Sequence, residues 1–213
     1  VTPTEIVEAA QNNLNAVSDT LWSQTEILNI LYATELQLAR KTRCIESTST
    51  QTSTSGTADY SKPTYAQDVL RVTYNGTKLQ KITQEQFDQL NPTGLAQSGT
   101  PVYYTFFNDT MTLYPTPDTS ALVIKTWSYN EPVKAGATDT LSTPSRYHDV
   151  LVNGVTYGMC PKDLGHPLTT FWRDKWFTGM AEVEWHVKIR RRADGFTRVS
   201  REEDALTTNF GII

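Results

Sequence analysis

The chain has 213 residues, 19 Lys plus Arg against 23 Asp plus Glu, and 38% hydrophobic residues. Ordinary apolar and aromatic content with two Cys excludes a disordered chain, a collagen-like repeat and a disulfide scaffold. A net charge of −4 argues against a dedicated nucleic-acid binder, which carries a basic excess.

No apolar run approaches the roughly 20 residues that cross a bilayer, and no charged-then-apolar segment opens the chain. A soluble, non-secreted protein is therefore expected, with the widely separated Cys44 and Cys160 as reduced thiols. The chain opens Thr2-Pro3-Thr4-Glu5, a helix cap, a first-turn proline and the glutamate that closes a capping box. Ile6, Ala9, Ala10 and Leu14 follow at helical spacing. A second box, Ser23-Gln24-Thr25-Glu26, predicts a longer helix to about Arg43, with Ile27, Leu28, Leu31, Leu38 and the small Ala33 and Ala39 on its buried face.

Residues 46–57 then carry nine Ser or Thr in twelve positions, which predicts a linker or extended surface segment. From Tyr60 to Asn130 the pattern turns to strands and holds seven of the ten tyrosines. Strands are predicted at 69–74, 77–82, 102–107, 110–114 and 121–129. Asn75-Gly76 makes a type I′ hairpin between the first two, and a short helix carries Phe87 and Leu90. These strands suggest a compact antiparallel sheet or sandwich.

Helix returns at Thr143-Pro144, with Gly154 and Gly158 placed where another backbone approaches closely and Pro161 as the stop. His166-Pro167 opens the last helix, which is expected to run to about Ala193 with Gly195 beyond it. Its stripe Leu168, Trp172, Trp176, Gly179, Val183 and Val187 reads as core. Phe177, Ala181 and Trp185 fall on the opposite side. A helix apolar on two faces is fully buried or shared, so these three predict contact with a neighbouring copy.

The expected fold class is thus α+β. Residues 1–45 and 141–194 form an antiparallel bundle of about four helices, 46–59 a Ser/Thr-rich linker, 60–133 an inserted small antiparallel β domain, and 195–213 an extended C-terminal tail. That tail is too irregular for a domain yet ends in Phe210, Ile212 and Ile213, which suits an arm held by a partner, with Arg198 and Arg201 able to pair with acidic groups on the way. Lys188, Arg190, Arg191 and Arg192 cluster at the end of the last helix. Part of that charge complements the helix C-terminus, and the remainder is suited to a phosphate or an acidic surface.

Chemistry is harder to place. His148-Asp149 are adjacent on a helix and point apart, which predicts polar side chains facing solvent rather than an acid–base pair. Glu182 and His186 lack a third ligand, and no phosphate loop, nucleophile elbow or zinc-protease motif occurs. Asn75-Gly76-Thr77 and Asn108-Asp109-Thr110 match glycosylation sequons but coincide with turns. No catalytic, cofactor or metal site is expected.

In order and spacing the segments resemble the head-to-tail adaptor (connector ring) proteins of tailed bacteriophages, of the short-tailed type. The resemblance rests on Trp22-Ser23-Gln24-Thr25-Glu26-Ile27-Leu28-Asn29, Val72-Thr73-Tyr74-Asn75-Gly76-Thr77-Lys78-Leu79 and Gly99-Thr100-Pro101-Val102-Tyr103-Tyr104. It rests further on Thr112-Leu113-Tyr114-Pro115-Thr116-Pro117 and on the stretch from Thr143 to Val152. It covers about residues 4–190, and neither 46–57 nor the tail beyond 195 carries a matching motif.

The resemblance implies a twelve-copy homo-oligomeric ring beneath the portal at the head-to-tail interface of the virion, assembled in the host cytoplasm and free of membrane. Such a ring extends the DNA channel, lets packaged DNA pass without sequence-specific binding, and docks tail nozzle or fibre proteins. A C-terminal arm reaches the portal protein. The alternatives are a virion-associated cell-wall hydrolase, for which no convincing carboxylate pair is present, and a carbohydrate-binding module using the Tyr-rich β domain.

Overall fold

A computed structural model describes residues 2–15, 21–91, 97–137, 139–162 and 168–193, with the backbone alone at 162, 192 and 193. Both N-terminal caps form as their residue types require. Glu5 N donates to Thr2 Oγ1 at 3.3 Å and Thr2 N donates to the Glu5 carboxylate at 2.8 Å, opening α1 (Pro3–Asn13). Ser23 and Glu26 repeat the box at the start of α2 (Gln24–Thr42), which stops at Arg43 in a left-handed conformation, φ 53°.

The Ser/Thr run does not form a linker. Residues Glu46–Thr52 are a strand, β1, paired antiparallel along its whole length with the last strand of the region. Ser and Thr supply no core, but a strand needs only a backbone ladder and one partly covered face. β1 has both, with alternate residues half-buried. Strands continue as β2 (Asp59–Ser61), β3 (Ala66–Tyr74), β4 (Thr77–Lys78) and β5 (Gln80–Lys81), followed by α3 (Gln84–Leu90). Next come β6 (Ser98–Gly99), β7 (Tyr103–Phe107), β8 (Thr110–Tyr114), β9 (Thr116–Pro117) and β10 (Val123–Asn130).

The expected Asn75-Gly76 turn is present, with both residues at positive φ (46° and 82°), as type I′ demands. Its return strand is shorter than expected. Only Thr77–Lys78 pairs with β3, and Gln80–Lys81 crosses to lie parallel to β7. The strands therefore form three sheets, in the orders β1-β10-β3-β4, β2-β8-β7-β5 and β6-β9. The β6-β9 pair is also parallel, so the arrangement is mainly but not wholly antiparallel. Val69, Val72, Tyr74, Leu79, Tyr104, Met111, Leu113 and Ile124 are buried in one cluster contributed by both larger sheets.

After the sheets, Thr143-Pro144 leads into a 3-10 turn, Ser145–Tyr147, before α4 (His148–Met159). A second 3-10 turn, Cys160–Lys162, follows, and the last helix described is α5 (Thr169–Ala193). The expected start at His166-Pro167 and stop at Gly195 lie outside the described residues. α1, α2, α4 and α5 share one hydrophobic cluster that includes Ile6, Ile27, Leu38, Leu151, Val155, Trp176 and Val183. Close helix approach depends on glycine. A Cβ on Gly158 would meet Ile30 at 2.6 Å, and one on Gly179 would meet Val150 at 3.0 Å.

Candidate functional site

α5 has two apolar faces, and the rest of the fold covers one of them. Trp176, Gly179, Met180, Val183 and Val187 are buried against α2 and α4. Met180 also joins this stripe, as its spacing of four residues after Trp176 and three before Val183 requires. Leu168, expected in the core, is exposed just before the helix and Trp172 is half-buried, so the stripe joins the cluster only from Trp176 onward.

On the other side Phe177 is 49% exposed, Trp185 60%, and Ala181 between them is also open. Ile189 continues the row at the same four-residue spacing and is 44% exposed; the pattern Phe177, Ala181, Trp185 already pointed to it. The only aromatic neighbour that Phe177 meets from another helix among the described residues is Tyr157 of α4, with ring centres 6.5 Å apart. Glu182 and His186 flank this row as exposed polar residues.

The cations at the end of α5 turn inward to their own chain. Lys188 pairs with Glu184 one turn back at 3.0 Å, a solvent-exposed pair of small energetic weight. Arg190 reaches Glu46 at the start of β1 at 2.6 Å, and the Arg191 guanidinium sits 4.3 Å from the Tyr129 ring centre. The side chain of Arg192 and the whole expected arm, including Arg198, Arg201, Phe210, Ile212 and Ile213, lie outside the described residues.

His148 departs from its expected surface position. It is buried, with Nε2 reaching back across the 3-10 turn to within 2.9 Å of the Thr143 carbonyl oxygen. Glu35 on α2 reaches the same segment, accepting from Thr143 N at 2.8 Å. Burial raises the Glu35 pKa, opposed by that backbone donor and by the positive field of His148. The group ties α2 to the segment that enters α4, and it is closed in by packing rather than open to a cleft. Cys44 and Cys160 are free and buried, and burial also raises the Cys44 thiol. Among the described residues no group of three or more His, Cys, Asp or Glu is placed to hold a metal, and no helix is long and apolar enough to cross a membrane.

The longest helix of this mixed α+β chain thus leaves an apolar row open to solvent. Comparison with protein families gives the class: residues 1–201 match the SU10 adaptor protein family, and the chain belongs to it. The likeness to phage head-to-tail adaptors read from the sequence is borne out by that membership, which makes this a structural adaptor protein of the bacteriophage virion. No curated protein matches the sequence.

Proposed function

We propose that the chain is one subunit of a twelve-copy adaptor ring that sits beneath the portal, extends the DNA channel and gives tail nozzle or fibre proteins a docking surface. Packaged DNA passes through the ring without sequence-specific contact, assembly takes place in the host cytoplasm, and the work is interfacial with no bond chemistry. The observation that carries this reading is the exposed row Phe177, Ala181, Trp185 and Ile189, which lies opposite the buried stripe of the same helix. A continuous apolar row on a long helix is what a subunit contact uses, and an aromatic at its centre is the usual anchor. Residues 196–213 serve as the portal-binding arm, with Phe210, Ile212 and Ile213 filling pockets and the backbone adding to a sheet edge of the portal.

Native mass measurement of the protein with a portal ring tests both parts. Trp185→Ala should keep the monomer's thermal unfolding and lose incorporation into portal complexes, by about 1–4 kcal/mol in subunit contact. Incorporation at the wild-type level would refute the interface. Removing 196–213 should abolish portal binding while leaving the helices intact, and native portal affinity in that truncated chain would refute the arm.

A further inference from the structure

One face of the sheet β1-β10-β3 concentrates cations on aromatic rings. Trp127 stands opposite Thr48 of β1 on one side and Arg71 of β3 on the other, and Lys125 follows on the same face at two-residue spacing. The Arg71 guanidinium lies 4.6 Å and Lys125 Nζ 4.9 Å from the Trp127 ring centre. Arg191 completes the strip over Tyr129 at 4.3 Å. The two carboxylates on this side are taken already, Glu46 by Arg190 and Asp68 by Arg43. Arg71, Lys125 and Arg191 have no ion-pair partner among the described residues.

The same face is short of hydrogen-bond acceptors. Nε of Arg71, of Arg190 and of Arg191 is buried with no partner. A cleft of about 180 Å³ opens beside these residues, lined in part by Thr48, Trp127, Tyr129 and Arg191.

The edge of β1 next to the cleft is also open. Ile45 O accepts from Asn130 N, and Ser53 N donates to Leu122 O, so alternation turns the backbone groups of the odd-numbered residues toward β10. Those of Glu46, Thr48, Thr50 and Thr52 point outward. The strand ends the sheet order and carries no Lys, Pro or bulge of the kind that blunts an edge.

A free strand edge selects a polypeptide, and unpaired arginines select carboxylates. Nucleic acid could use the charge but not the edge. The chain itself carries a matching segment: Glu202-Glu203-Asp204 follows shortly after α5, which ends at Ala193, three residues beyond the Arg190 that reaches Glu46. Nine residues reach up to about 30 Å, whereas β1 and β3 are only about 10 Å apart across β10. Tethering keeps the local concentration of that segment high.

We infer that Glu202, Glu203 and Asp204 dock on the cationic face formed by Arg71, Lys125 and Arg191, with the residues before them laid along the free edge of β1 in the same chain. Of the arm proposed above, only residues 205–213 would then reach the portal, and the docked half would fix the direction in which they leave the subunit. This inference does not depend on the ring or on the portal.

The full-length chain carrying Thr48→Cys and Asp204→Cys tests it without any partner. Cys44 and Cys160 are buried and do not compete. Mild oxidation should give a crosslink within one chain, identified by peptide mass, and its rate should fall at least about tenfold in high salt or when Lys125→Glu and Arg71→Glu are added. Lys125→Glu alone, at an exposed position, serves if the Arg71 variant fails to fold. No crosslink, or a rate indifferent to these charges, overturns the inference. So does a crosslink between chains, which would make the occupant a second copy's tail, or its loss on adding duplex DNA, which would make the face a nucleic-acid surface.

Discussion

Gly154 sits where α4 meets α2 and α5, and a Cβ there would clash with the Thr34 methyl and come within 2.7 Å of the Trp176 ring. Neither neighbour is the free end of a flexible chain, since Trp176 is buried and Thr34 Oγ1 is held by the Ile30 carbonyl at 2.8 Å. Gly154→Ala therefore overpacks the site and outweighs alanine's better helix propensity. Urea unfolding should show a loss of about 1–3 kcal/mol. Glu35 makes a different residue-scale prediction. Burial is the main reason that its carboxyl holds its proton above the ordinary value of 4.5 in the folded chain. The folded state thus binds more protons than the unfolded state between that value and the raised one, and the slope of stability with pH is negative there. The contribution is fully present below pH 4.5 and is lost as pH rises through the folded pKa. Glu35→Gln keeps an acceptor for Thr143 N and removes the titration. Denaturation from pH 4.5 toward neutrality should show wild-type stability falling relative to the Gln variant. A constant difference between the two across that range would contradict the assignment.

At the scale of single elements, β1 offers a test that distinguishes neighbouring positions. Ser49 turns its N–H toward β10, whereas the Thr50 N–H points to the open edge. Ser49→Pro removes a ladder bond opposite the buried Thr126 and should cost about 1–3 kcal/mol, while Thr50→Pro should cost much less, as proline is tolerated at an outward edge position. Hydrogen exchange at β10 amides would report the difference strand by strand. This strand also shows where sequence reading stops. Capping boxes, the Asn75-Gly76 turn and the helical stripes are local signals, and α1, α2, α3 and the hairpin follow from them. β1 has no local signal: its Ser/Thr run is apolar nowhere, and only pairing with a strand more than seventy positions away makes it a strand. The switch of Gln80–Lys81 to a second sheet and the burial of His148 are tertiary in the same sense. The exposed row on α5 was legible because four-residue spacing needs no knowledge of neighbours.

For the whole molecule the question is how strongly its two hydrophobic clusters are coupled. The helix cluster and the sheet cluster share no buried residue. What joins them is largely polar: Arg190 with Glu46 at 2.6 Å, Arg43 with Asp68 at 3.7 Å, and Arg191 over Tyr129. Partly exposed pairs of this kind contribute about 0–1 kcal/mol each, whereas truncating one large buried side chain in either cluster costs about 2–5 kcal/mol. We therefore propose that the sheets are an inserted folding unit carried by the helices, beginning at β1 rather than at residue 60. The ends of the insertion are adjacent, since Asn130 N donates to Ile45 O at 2.9 Å, so a short Gly/Ser bridge can replace residues 46–130. The contacts of the following segment with the helices survive this cut, among them Thr4 N to Ala137 O and Thr143 N to Glu35. The bridged chain should keep its helical circular dichroism and unfold cooperatively on heating, and in the intact chain Ile124→Ala should shift the sheet's transition while leaving the helices' transition nearly in place. Complete loss of cooperative helix unfolding in the bridged chain would mean that sheets and helices fold as one core, with the polar junction contributing far more than its individual pairs.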